Sequence, residues 1–119
     1  MISRILVVDD DQAVCRAMAR TLARSGCEVR TAHDAAPALE MTTDWTPDAV
    51  LVDLNMPTSG LVLVAELRAR FGRELFVAML TGEDHDATLQ ECRVGGADEV
   101  LVKPILPGEL RRRLRVGAS

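Results

Sequence analysis

The sequence predicts an α/β domain, a single doubly wound five-stranded parallel sheet with helices on both faces. Two observations predict it. Five short apolar runs alternate with five amphipathic stretches of helical period. The runs are continuously apolar rather than alternating, as strands buried on both faces must be. A chain of 119 residues holds one such core and not two. At 48% hydrophobic residues it has enough apolar surface to bury, which excludes a disordered chain. The aromatics are Trp45, Phe71 and Phe76 alone, so the core must be aliphatic.

Each element follows from local chemistry. Ile5 to Val8 is a β-branched-rich run ending in acids, a buried strand. Asp11 is placed to cap a helix in which Val14, Met18 and Leu22 recur every four residues, with Arg16, Arg20 and Arg24 on another face and Gly26 as the stop. Glu28 to Thr31 is a more polar strand, expected at an edge. Asp34 caps a second helix from Ala35 to Thr43, whose Pro37 fits only the first turn. Ala49 to Asp53 is the third strand and Gly60 to Arg70 the third helix, with Leu63 and Leu67 inward. Leu75 to Leu80 is the fourth strand. Asp86 to Val94 is the fourth helix, closed by Gly95 and Gly96. Val100 to Val102 is the fifth strand, and Gly108 to Val116 the last helix, with Leu110 and Leu114 facing in.

Composition excludes several functions. A net charge of −4 argues against a nucleic-acid-binding surface. The run Arg111, Arg112, Arg113 and Arg115 reads as a solvated helix face that suits a helix C-terminus. Cys15, Cys27 and Cys92 are odd in number and too far apart for a metal knuckle or redox pair, so they read as small hydrophobes. The chain starts directly with a strand, without a signal-peptide pattern, and no apolar run reaches membrane-spanning length. A cytoplasmic domain without membrane contact is expected.

The chemistry gathers at one rim. In an open parallel sheet, ligands bind beyond the carboxyl ends of the strands. There the chain places Asp9, Asp10 and Asp11 after the first strand, Asp53 at the end of the third, Thr81 after the fourth, and Lys103 then Pro104 after the fifth. Clustered carboxylates repel one another unless a cation joins them. Oxygen-only ligands at an open site suit Mg²⁺, which favours one or two carboxylates plus a phosphate. Lys103 supplies a compact charge and Thr81 a hydrogen bond for phosphoryl oxygens, and Asp53 is placed as a carboxylate nucleophile. Asp11 is left out of the metal set as a helix cap. His33 and His85 read as exposed loop residues, Met18, Met41, Met56 and Met79 as core filler, and Trp45 as a cover for the opposite end of the sheet. Gly95–Gly96 is a helix stop, not a phosphate loop.

Four strings in order, ILVVDDD, VLVDLNMP, AMLTG and VLVKP, resemble the receiver domains of two-component response regulators over nearly the whole chain. The resemblance implies the flavodoxin-like strand order 2-1-3-4-5. It implies Asp9 and Asp10 as the acidic pair for Mg²⁺, Asp53 as acceptor of a phosphoryl group from a histidine kinase or phosphotransfer protein, and Asn55 as a metal ligand through its backbone carbonyl. Thr81 becomes the switch hydroxyl, and Lys103 pairs with Asp53 next to a cis Lys103–Pro104 peptide. Asn55 and Glu83 are the pair that accompanies rapid self-dephosphorylation in chemotaxis-type receivers, and with the small Gly82 they imply an acyl phosphate lasting seconds to minutes. The expected partners are that phosphodonor, an output domain or downstream protein, and a second copy through the last helix and fifth strand. Glu99, Glu109 and Arg113 are candidates for ion pairs between copies.

The chain departs from the pattern at Val100, where an aromatic or His is usual, at Ile105, and at Thr58–Ser59–Gly60, a loop one residue short. Two other readings compete. A degenerate receiver used only for docking fits Val100 but not the full acid, Thr and Lys set. A phosphatase of the haloacid-dehalogenase class fits the Asp9–x–Asp11 spacing, but Ala13 stands where Thr or Val is required and no cap domain exists.

Overall fold

The computed structural model describes residues 2–116. The apolar runs form β1 (Arg4–Val8), β2 (Glu28–Ala32), β3 (Ala49–Asp53), β4 (Phe76–Thr81) and β5 (Glu99–Val102). All pair in parallel, in the order β2-β1-β3-β4-β5. Side chains alternate across a strand, so each run feeds two cores. Leu6, Val8, Val50, Val52, Val77, Met79 and Val100 face one layer, where they meet Leu63, Val64, Leu67 and Cys92. Ile5, Val7, Ala49, Leu51, Ala78, Leu80 and Leu101 face the other, where they meet Cys15, Met18, Leu22, Leu110 and Leu114. The three central strands are buried almost throughout, while β2 lies at the edge with its polar residues outward. Met18 and Met79 are core residues, and Met41 and Met56 pack against the core from its margin.

The helices are α1 (Gln12–Arg24), α2 (Ala35–Met41), α3 (Gly60–Phe71), α4 (Asp86–Val94) and α5 (Pro107–Leu114). Asp11 caps α1 as expected, accepting the N–H groups of Ala13 and Val14 at 2.9 and 3.2 Å. Gly26 ends that helix at φ +90°, a conformation that disfavours a side chain. Two helices stop earlier than the sequence pattern. α2 ends at Met41, because the hydroxyls of Thr42 and Thr43 turn back onto the carbonyls of Leu39 and Glu40. α5 ends at Leu114 because Arg115 adopts the left-handed conformation at φ 58°, with its N–H on the Arg112 carbonyl. β4 begins and ends one residue later than expected, so Thr81 is the strand's last residue.

The end of the sheet away from the acids is tied by polar side chains. Asp48 accepts the N–H groups of Ser3 and Arg4 at 2.9 and 2.8 Å, which holds its carboxyl below the usual range. Trp45 is 4% exposed and donates to Glu28 at 2.9 Å, with the Arg30 guanidinium 4.7 Å over its ring. Arg68 of α3 reaches the carbonyls of Gly96, Gly72 and Leu75 and the Asp98 carboxylate, which in turn accepts the Val77 N–H. Among the described residues, no helix is long and apolar enough to cross a membrane.

Candidate functional site

The alternation that builds the two cores also builds the site. Asp9, Asp53 and Lys103 extend the rows of Val7, Leu51 and Leu101 past the strand ends, so their side chains emerge on the same side of the sheet. Carboxylate oxygens of Asp9, Asp10 and Asp53 lie within 4.8 Å of one another. Asp9 is fully buried, Asp53 is buried and Asp10 is exposed. Lys103 Nζ donates to Asp9 Oδ2 at 2.7 Å and stands 3.5 Å from Asp53 Oδ1. The lysine therefore pairs with Asp9 first and Asp53 second. The resemblance had implied Asp53 as its partner. The Lys103–Pro104 peptide is cis.

Asp9 is fixed from several sides. Its Oδ1 accepts the Asp11 N–H at 2.9 Å, and its carbonyl accepts the Cys15 thiol at 3.2 Å and faces His33 Nδ1 at 3.1 Å. Burial, followed by the Asp9 charge, pushes the Cys15 thiol up to about 11, so Cys15 is a packed thiol and not a nucleophile. Asp53 Oδ1 accepts the Asn55 N–H at 3.3 Å. Burial, then the Asp9 charge, pushes the Asp53 carboxyl up to about 6 against the opposing pull of Lys103. For Lys103, burial acts downward, but its hydrogen bond to Asp9 and the charges of Asp53 and Asp9 outweigh it and raise the ammonium above its usual value. Three carboxylates against one ammonium leave an excess of two negative charges when all are ionised. An oxygen-only donor set with that excess and one exposed member fits a divalent cation such as Mg²⁺.

Thr81 is buried beside the cluster, one register step beyond the Asp53–Leu80 pair. Its hydroxyl accepts the Glu83 N–H at 3.0 Å and faces the Glu83 carbonyl at 3.3 Å, so it is turned toward the following loop. Asn55, exposed, and Glu83 line a recess of about 600 Å³ together with Met56, Leu61, Thr88 and Glu91. A second hollow of about 370 Å³ lies between α1 and the loop after β5, lined by Val14, Ala17, Met18, Lys103, Pro104 and Ile105.

One backbone approach was not foreseen. A Cβ on Gly60 would lie 2.3 Å from the Asp53 carbonyl oxygen. The Thr58–Ser59–Gly60 segment sets the start of α3 directly against the acceptor strand, with Ser59 capping the helix through the Leu61 N–H. Asp11 lies outside the acid cluster and is engaged at the helix start. Val100 is 7% exposed and packs within the core. Arg113 binds Glu99 at 2.8 Å and approaches Glu109 at 3.5 Å within the chain, so these charges already satisfy one another in the single copy.

Comparison with known proteins agrees with this geometry. The family model for the response regulator receiver domain matches residues 5–115. Response regulator MprA of Mycobacterium ulcerans is 41% identical over 113 residues, covering 94% of this chain and 48% of that protein. The chain therefore spans about half the length of such curated relatives. The chemotaxis protein CheY4 of Vibrio cholerae superposes with a TM-score of 0.90 at 32% identity, covering 97% of this chain and 98% of that one. DrrB of Thermotoga maritima, an OmpR/PhoB homologue, superposes with a TM-score of 0.87 at 25% identity, over 97% of this chain and 52% of that one. With the strand order, the rim of acids and the family match in agreement, the chain belongs to the response regulator receiver domains of two-component signalling.

Proposed function

We propose that this domain is switched by phosphorylation of Asp53, with Mg²⁺ held by Asp9, Asp10, Asp53 and the Asn55 backbone carbonyl. The observation that carries the reading is the meeting of three carboxylates with the Lys103 ammonium at the carboxyl edge of the sheet. The cation supplies charge neutralisation to the transferring phosphoryl group. The chain's own residues do the rest. Asp53 attacks, its nucleophilic oxygen displacing the donor's leaving group at phosphorus. Lys103, 3.5 Å from Asp53, turns to a phosphoryl oxygen, and the Thr81 hydroxyl leaves Glu83 for another. The domain turns over no external substrate; it catalyses only its own phosphorylation and dephosphorylation.

The donor is a histidine kinase or phosphotransfer protein in the cytoplasm. The apolar hollow between α1 and Lys103–Pro104 supports its docking beside the rim. Asn55 and Glu83 beside the site support an acyl phosphate lasting seconds to minutes. Residues 1–119 form the receiver unit, and the twofold length of the relatives supports an output domain in the whole protein. A homodimer would use α5 and β5, where an Arg113 pair must open before it forms between copies. Incubation with Mg²⁺ and acetyl phosphate, read by intact mass, tests the central claim. One added phosphoryl group in the wild type, absent in Asp53→Asn and without Mg²⁺, is expected. No adduct after rapid quenching, together with no binding of beryllofluoride, refutes it in favour of a docking module.

A further inference from the structure

The recess beside the acceptor holds, around Glu83, a polar arrangement whose α4 member, Thr88, has no part in the chemistry above. Glu83 follows Thr81 by two residues, and the Thr81 hydroxyl fixes its backbone. Its side chain is held separately. Thr88, in the first turn of α4, donates its hydroxyl to Glu83 Oε2 at 3.3 Å, and His85 Nδ1 stands 3.7 Å from the same oxygen. Glu91, one turn further along α4, lines the same recess. Asn55 lines the recess from the loop after β3, the acceptor's side. The Glu83 carboxylate is thus drawn to the α4 wall.

We propose that Thr88 is a positioning residue that retains the Glu83 carboxylate on the α4 wall of the recess, away from the acyl phosphate on Asp53, and thereby lengthens the life of the phosphorylated state. The inference rests on Asp53 being the acceptor. Hydrolysis forms a bond from a water oxygen to phosphorus and breaks the bond from phosphorus to the Asp53 oxygen. The water's proton passes to a base, and the products are inorganic phosphate and the Asp53 carboxylate. A carboxylate able to reach that water accepts its proton, and general-base assistance speeds such a step. Without the Thr88 hydroxyl, the Glu83 carboxylate loses its one hydrogen bond to α4 and is free to swing toward Asn55 and the acceptor. Thr88 makes a hydrogen bond to Glu83 whereas His85, at 3.7 Å, does not, so Thr88 is the closer hold.

The test labels the protein with acetyl phosphate and Mg²⁺, removes the donor by rapid desalting, and follows loss of the adduct by intact mass. Thr88→Val is expected to shorten the half-life about threefold, the effect of one lost hydrogen bond to a partly exposed charged group. Thr88→Ser, which keeps the hydroxyl, restores the wild-type lifetime. In a Glu83→Gln background the Thr88→Val change has no further effect. Equal lifetimes for wild type and Thr88→Val overturn the inference alone. So does a Thr88→Val effect that persists undiminished with Glu83→Gln, since it would then act through α4. Failure of the wild type to take up any label overturns the acceptor reading and this inference together.

Discussion

Asp53→Asn should stabilise the metal-free protein, and by an amount that depends on pH. The Asp53 carboxyl is buried at the end of β3 and pushed up to about 6, from burial first and the Asp9 charge second. The folded state therefore holds the proton more tightly than the unfolded chain, whose Asp titrates near its ordinary value of about 4. Stability from this group is complete below about pH 4 and is lost as pH rises to about 6. Two pKa units correspond to about 3 kcal/mol of penalty at neutral pH. Asn carries no such penalty. It keeps an oxygen for the Asn55 N–H and leaves Lys103 its shorter bond to Asp9. The expected gain at pH 7.5 is about 1–3 kcal/mol, shrinking toward zero near pH 4. Urea unfolding followed by circular dichroism in EDTA, between pH 4 and 7.5, measures it. Addition of Mg²⁺ should narrow the gap, because a ligand of the folded state stabilises the wild type by about 1.4 kcal/mol at ten times its dissociation constant. An Asn variant that is less stable at pH 7.5, or a difference that does not change with pH, refutes the reasoning.

Three further outcomes are expected. Gly60→Ala places a Cβ 2.3 Å from the Asp53 carbonyl oxygen, so β3 or α3 must move; a loss of about 1–3 kcal/mol in urea unfolding is expected, and an unchanged midpoint refutes the close approach. Arg68→Ala removes one side chain from three carbonyls and the Asp98 carboxylate, and should destabilise by about 2–3 kcal/mol. Arg68→Lys should recover little of that loss, since a point charge does not span the fork's partners. A thiol reagent on the native protein should modify Cys27 and leave Cys15 and Cys92 until unfolding, because those two are buried and Cys15 is pushed up to about 11.

Most of the sheet and the rim could be read in advance for one reason. Continuous runs such as Ile5–Val8 and Ala49–Val52 leave no face for water, and the first polar residue after each run must lie at a strand end. Asp9, Asp53 and Lys103 are those residues, so their convergence follows from the parallel order. Asp11 carried its own label as a cap ahead of an apolar period of four. What escaped the sequence depended on partners far along the chain or on unusual backbone. The Arg68 ties join it to Gly96 and Asp98, about thirty residues away, with no pattern to announce them. The end of α5 has a left-handed Arg115 where a glycine would have signalled the stop. The choice of Asp9 over Asp53 by Lys103 is decided by packing between strands, which spacing does not encode.

The location of Trp45 has a practical consequence. It is the chain's single tryptophan, it is buried at the end of the sheet opposite Asp53, and it is gripped by Glu28 and Arg30. Its emission should change sharply when the domain unfolds and hardly at all when Mg²⁺ or a phosphoryl group arrives at the other rim. Denaturation and occupancy of the site can then be followed in one sample by separate signals, the first by intrinsic fluorescence and the second by mass.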